Sequence, residues 1–160
     1  MKKQNGLTLI STIFLVLIIA FIVFGVIYFF RIQTAKEQLE DVKTDLLLVQ
    51  AKVKKISADY ILKKDEQVLV GSKIADVKDE PIIQEFLNKN SINVDEKDKK
   101  YYVLNQQNLE ELGLTQVKLE ENAYYVVEYE ESKVYYTKGY ELEGNSYYDI
   151  DNIEELKLEQ

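Results

Sequence analysis

The sequence has no cysteine and no histidine, and only one proline. Without cysteine there is no disulfide and no thiolate nucleophile. Without histidine there is no imidazole base, and a zinc finger has neither of its usual ligand types. The lack of cysteine leaves the compartment open, because an exported domain that does without disulfides and a cytosolic domain fit equally. Gly-x-Ser-x-Gly and phosphate-loop patterns are missing too, and carboxylate pairs are too common in so acidic a chain to indicate a glycosidase. The sequence therefore points away from an enzyme and implies no cofactor and no metal site.

Positive charge is the next shortage. The chain carries 20 Lys and Arg against 28 Asp and Glu. Setting aside Lys2 and Lys3 leaves 18 basic against 28 acidic residues, a balance of −10 for the part after the first apolar run. Nucleic acid and anionic lipid need a basic face, so neither is expected as a partner. The acidity keeps the domain soluble.

Between Leu7 and Phe30 charge disappears altogether, and only Thr8, Ser11 and Thr12 are plainly polar. At about 1.5 Å per residue this run spans roughly 36 Å as a helix, more than the roughly 30 Å of bilayer hydrocarbon. A secretory signal peptide would have a shorter apolar run and a small-x-small cleavage site, whereas Phe29-Phe30-Arg31 follows here. Residues 7–30 are expected to be a retained transmembrane helix. Lys2 and Lys3 lie before it and Arg31, Lys36 and Lys43 after it, so the positive-inside count is nearly balanced. The shortness of the N-terminal side favours a cytoplasmic N-terminus and an extracytoplasmic C-terminal domain.

Proline and glycine are also missing from residues 31–64, where the pattern turns amphipathic. Ile32, Ala35, Leu39, Val42, Leu46, Val49, Val53, Ile56 and Tyr60 follow one another at alternating spacings of three and four. The membrane helix is expected to run on to about Lys64. The stripe either packs on the chain's own domain or forms a parallel coiled coil. The flanking Lys36, Lys43, Gln50 and Ser57, with Gln38, Asp45, Lys52 and Asp59, give no run of complementary pairs for the second reading. Leu47, Leu48 and Leu62 broaden the stripe, as docking on a sheet requires.

Residues 65–80 read as a loop with a short extended piece at Val68–Val70. Pro81 opens a helix, Ile82 to Asn88, and residues 93–100 read as a charged loop. Tyr101–Leu104 reads as a strand, and Gln106–Leu112 as a short helix capped by Gly113. Residues 123–139 read as two strands about a turn at Glu130–Lys133. Residues 140–150 form a second hairpin with Gly144-Asn145 at its tip, and Asp151 caps a last turn through Leu156. The expected fold is α+β: a long N-terminal helix, half transmembrane and half amphipathic, then a small antiparallel sheet of three to five strands at 65–160.

Two groupings invite a binding reading. Tyr101-Tyr102, Tyr124-Tyr125, Tyr135-Tyr136 and Tyr147-Tyr148 could stack on sugars, but strand alternation turns one ring of each pair inward and the next outward, which is the simpler account. Asp149, Asp151, Glu154 and Glu155 offer oxygens to calcium, but the EF-hand loop needs glycine at its sixth position, where Glu154 stands. A helix cap on a solvated acidic end is the simpler account here as well.

A short basic leader ending in Gly6, then Leu7-Thr8-Leu9-Ile10, an uninterrupted apolar helix and an amphipathic extension into a small sheet together resemble the type IV pilin and pseudopilin family. The later runs YYVLNQQNLEELGL and YYVVEYEESKVYYTKG look like segments of pilin-like proteins from low-GC Gram-positive bacteria. The resemblance implies cleavage by a prepilin peptidase between Gly6 and Leu7, with residues 1–6 as leader and Leu7 as the new, usually N-methylated, terminus. It implies assembly with other pilin-like subunits of a pilus, competence pilus or type II secretion-like pseudopilus. The assembling surface would be the apolar helix, through Leu9, Ile10, Ser11, Phe14, Leu17, Phe21 and Phe24. Ser11 departs from the family, which usually has glutamate at this fifth mature position. That departure admits a minor or tip pilin, a variant assembly system, or a membrane protein that does not polymerise. The alternative is a single-pass scaffold of the division or septum type with a juxtamembrane coiled coil, which requires nothing of Gly6.

Overall fold

The computed structural model describes residues 4–92, 100–142 and 144–154; of residues 4–12 and Glu154 it describes the backbone alone. The chain divides into two compact units, residues 1–40 and 41–160. Helix α1 runs from Gln4 to Lys63. Nothing in its sequence breaks it: there is no proline, and Gly6 and Gly25 are its only glycines. It stops at Lys64, which turns left-handed at φ 51°. The Lys64 N–H still reaches the Tyr60 carbonyl at 2.7 Å. Asp65 then caps a single 3₁₀ turn, Glu66–Val68, by accepting the Gln67 N–H at 2.9 Å.

The fold is α+β, a long helix followed by a five-stranded antiparallel sheet. Strand β1 is Ser72–Lys73, β2 Tyr101–Leu104, β3 Tyr125–Glu128, β4 Lys133–Leu142 and β5 Asn145–Asp149, and they lie side by side in chain order. Short helices fill the connections: α2 (Ile74–Val77) and α3 (Pro81–Asn90) before β2, α4 (Gln106–Glu111) after it, and α5 (Ile150–Glu154) after β5. Each has a local cause. Pro81 sits in the first turn of α3, where its missing N–H costs nothing, and Ser91 ends that helix in the left-handed region. Asn105 and Asn108 form a reciprocal capping box on α4, and Gly113 leaves it at φ +75°.

Register decides which side chains meet. Tyr102 pairs with Val127 and Val126 with Tyr135, so residues of one parity share a face. On one face Tyr101, Val103, Val126 and Tyr148 form a cluster with Ile74, Ile83 and Phe86 of α2 and α3. The Phe86 ring stands edge-on to Tyr148 at 5.6 Å and tilted to Tyr135 at 5.7 Å. On the other face Tyr102, Leu104, Tyr125, Val127, Val134 and Tyr136 are buried, as are Leu46, Val49 and Val53 of α1. Asp45 of α1 lies close enough to raise the Tyr125 and Tyr136 phenols further, after burial has already pushed both up.

Several expectations need correcting. The extended piece lies at Ser72–Lys73, where it pairs with Tyr102 and Val103, and the segment before it makes a 3₁₀ turn over Glu66–Val68. The tyrosine pairs do alternate, but helices cover both faces, so Tyr101 and Tyr102 are both buried. Asp149, not Asp151, caps the last helix: its Oδ1 accepts the Asn152 N–H at 2.8 Å. The loop expected at 93–100 lies almost wholly outside the described residues, as does the end of the last turn beyond Glu154.

The stripe on α1 also differs in detail. The buried positions are Leu39, Leu46, Val49, Val53 and Ser57, while Ile56 is only half-buried. A coiled-coil seam would have continued through Ile56. A straight helix drifts about 20° per heptad from such a seam, and over this length the drift brings Ser57 inward instead. The buried line is therefore that of a helix lying on its own sheet.

Candidate functional site

The expected site residues fall into two groups. The backbones of Gly6, Leu7, Leu9, Ile10 and Ser11 all lie within α1, and their side chains are outside the described residues. Phe14, Leu17, Phe21 and Phe24 lie further along α1 with exposed side chains; Phe21 is 77% exposed. Their spacings of three, four and three put them on one line of the helix. The apolar surface is not confined to that line, because the large apolar side chains from Ile13 to Phe30 are exposed all round. Such a helix normally belongs in the core of a large protein or in a membrane. By length and composition this is one helix able to cross a membrane, with a window of mean hydropathy 3.2 near the N-terminus.

Among the described residues the second unit offers no comparable apolar surface, but it contains a polar cluster that sequence reasoning passed over. The hydroxyl of buried Tyr129 accepts the Val70 N–H at 3.2 Å and donates to the Val70 carbonyl at 2.9 Å. It thereby ties the segment before β1 to the turn between β3 and β4. Burial pushes this phenol up to about 12. Next to it, the buried Glu128 carboxylate accepts the N–H groups of Glu130 at 3.0 Å and Glu131 at 2.7 Å. Its sequence signal was faint but present. Glu128 falls on the inward parity of β3, two residues after Val126, where an unpaired charge is costly.

Near the start of β2, exposed Glu66 bridges Lys73 at 3.1 Å and Lys100 at 2.8 Å. Lys100 first and Lys73 second hold its carboxyl below the usual range. This is a surface clasp of little net energy. At the acidic end the Glu154 side chain and Glu155 lie outside the described residues; among the described residues no group of three or more acidic side chains is placed to hold a metal ion. Both Asp149 oxygens are engaged by Asn152, one by its N–H and the other by its side-chain amide, each at 2.8 Å.

No family model matches the chain, and no curated protein or solved structure is significantly similar to it.

Proposed function

We propose that this chain is a pilin-like structural subunit, anchored in the cell membrane by residues 7–30 and processed by a prepilin peptidase between Gly6 and Leu7. The observation that carries the reading is the combination on α1. A basic leader ending in Gly6 precedes an apolar stretch exposed on all sides, and the same helix goes on to present a buried stripe, Leu46, Val49 and Val53, to a small antiparallel sheet. In this reading the N-terminus is cytoplasmic and residues 41–160 are extracytoplasmic. Tyr28, Phe29, Phe30 and Arg31 fit the outer interface, where aromatic rings and a cation end the hydrocarbon-facing run. The role is structural rather than catalytic. Its partners are the peptidase, the membrane and other pilin-like subunits.

Assembly would exchange lipid contacts of Leu9, Ile10, Phe14, Leu17, Phe21 and Phe24 for contacts with neighbouring apolar helices. Ser11 carries no charge, so this chain would add apolar packing and no buried ion pair to such a bundle. The coiled-coil scaffold is the weaker reading, because the stripe it needs is already buried in the chain's own domain from Leu46 to Val53.

Co-expression with a prepilin peptidase tests the proposal. Intact mass spectrometry is expected to show loss of residues 1–6, with Gly6→Ala blocking the cut. A full-length chain that ignores both the peptidase and the substitution would remove the pilin reading.

A further inference from the structure

A cleft of about 400 Å³ lies between α3 and the second half of β4. That is the size of a small-ligand site. Its first wall is one face of α3, where Ile82, Glu85, Phe86 and Lys89 follow at helical spacing. Its second wall is β4 from Thr137 to Glu141, where the pairing with β5 shifts register between Tyr135 and Tyr140. Gly139 makes that irregularity possible. Its φ is +67°, and a Cβ there would lie 2.8 Å from the Tyr147 carbonyl oxygen and 3.0 Å from the Tyr148 ring. Irregularities of this kind re-aim side chains beside binding sites.

The walls carry matched polar groups. Lys89 Nζ lies 2.9 Å from Glu85 Oε1 on the α3 side, and Lys138 Nζ lies 2.9 Å from Glu120 Oε2 on the β4 side. Glu141 adds a third carboxylate. Thr137 lines the cleft although it is only 4% exposed. Its Oγ1 accepts the Tyr124 N–H at 2.9 Å, and its own O–H is donated to no acceptor among the described residues. Phe86 and Tyr148 are buried, so they give the cleft an apolar floor and not a stacking platform.

This chemistry selects among ligands. An anion would meet three carboxylates and a cation two ammonium groups, and either must break an existing pair to gain a partner. A hydroxyl breaks nothing: it donates to the carboxylate of a pair and accepts from the ammonium. We propose that the α3–β4 cleft binds a short neutral saccharide, whose hydroxyls bridge the Glu85–Lys89 and Glu120–Lys138 pairs and accept the Thr137 O–H. These hydrogen bonds replace hydrogen bonds to water, so the affinity is weak, in the millimolar range. The site belongs to residues 41–160 alone and is independent of processing at Gly6.

The full chain, in micelles of a detergent without a sugar headgroup, is titrated with glucose, galactose, N-acetylglucosamine and maltose while its amide NMR shifts are followed. At least one of the four is expected to move the amides of Lys89, Thr137, Lys138 and Gly139 together and to saturate at millimolar concentration. Glucuronate and glucosamine are expected to bind no better than the neutral sugars. Lys89→Met and Glu120→Gln each break one pair and are expected to weaken binding at least about tenfold. Both side chains are exposed, so the fold should survive, and one folded variant is enough to decide. Four neutral sugars that leave these amides unmoved at tens of millimolar overturn the proposal. So do shifts that the folded variants keep in full, or binding confined to the charged sugars.

Discussion

Residues 13–30 and residues 46–57 lie on one helix, and both present large apolar side chains, but their surfaces have opposite fates. Leu46, Val49 and Val53 are buried by the chain's own domain. Ile13 to Phe30 are exposed on every side. The difference lies in pattern, not in hydrophobicity alone. An apolar stripe with polar flanks needs one surface to lie on, and the sheet supplies it. An apolar circumference has no polar flank to give to water and needs an apolar medium or several neighbours around it.

The sharpest way to break this comparison is to separate the two regions. On the proposed membrane anchoring, removing residues 1–40 is expected to move the chain from the membrane fraction to a soluble monomer, as read by fractionation and light scattering. A parallel dimer formed through residues 42–60 would revive the coiled-coil scaffold. Next in size is a matched pair of substitutions on the same helix. Leu46→Ala is expected to cost the domain about 2–5 kcal/mol in chemical unfolding. Leu17→Ala should stay within about 0.5 kcal/mol. Equal effects would mean that the two surfaces are not different in kind.

Gly71→Ala probes the joint beside β1. Gly71 has φ +102°, and an added Cβ would lie 2.6 Å from the Val103 carbonyl oxygen. The expected loss is about 1–3 kcal/mol, with the Ser72–Lys73 pairing to β2 weakened in hydrogen exchange. The smallest effect has the opposite sign. Ser57 Oγ is buried without a hydrogen-bond partner among the described residues. Ser57→Ala removes that orphan and improves helix propensity, so it should stabilise the domain by about 0.5–1.5 kcal/mol in the same unfolding assay.

The sequence made the strong periodic elements readable. Tyr101–Leu104, the helix opened by Pro81 and the hairpins after Ala123 each carry their own pattern or punctuation. Strand β1 has two residues and no period of its own; it exists because Val103 and Tyr102 pair with it across a long stretch of chain. The coverage of both sheet faces was hidden for a similar reason, since alternation tells which residues share a face and not what lies on it. Ser57 in place of Ile56 was missed because heptad spacing and straight-helix spacing differ by only one residue over this stretch. Glu128 was readable only as a charge at an inward position. Its role as acceptor of the Glu130 and Glu131 N–H groups depends on how the turn after β3 closes, which no local pattern announces.

The chain has no tryptophan, so a single introduced one reports without background. Phe21→Trp and Leu62→Trp, prepared separately in lipid vesicles with and without brominated acyl chains, test the two fates most directly; in this structure Phe21 is 77% and Leu62 82% exposed. The account predicts blue-shifted emission from position 21 that brominated lipid quenches, and red-shifted, unquenched emission from position 62. Emission from position 21 that brominated lipid leaves untouched would contradict it.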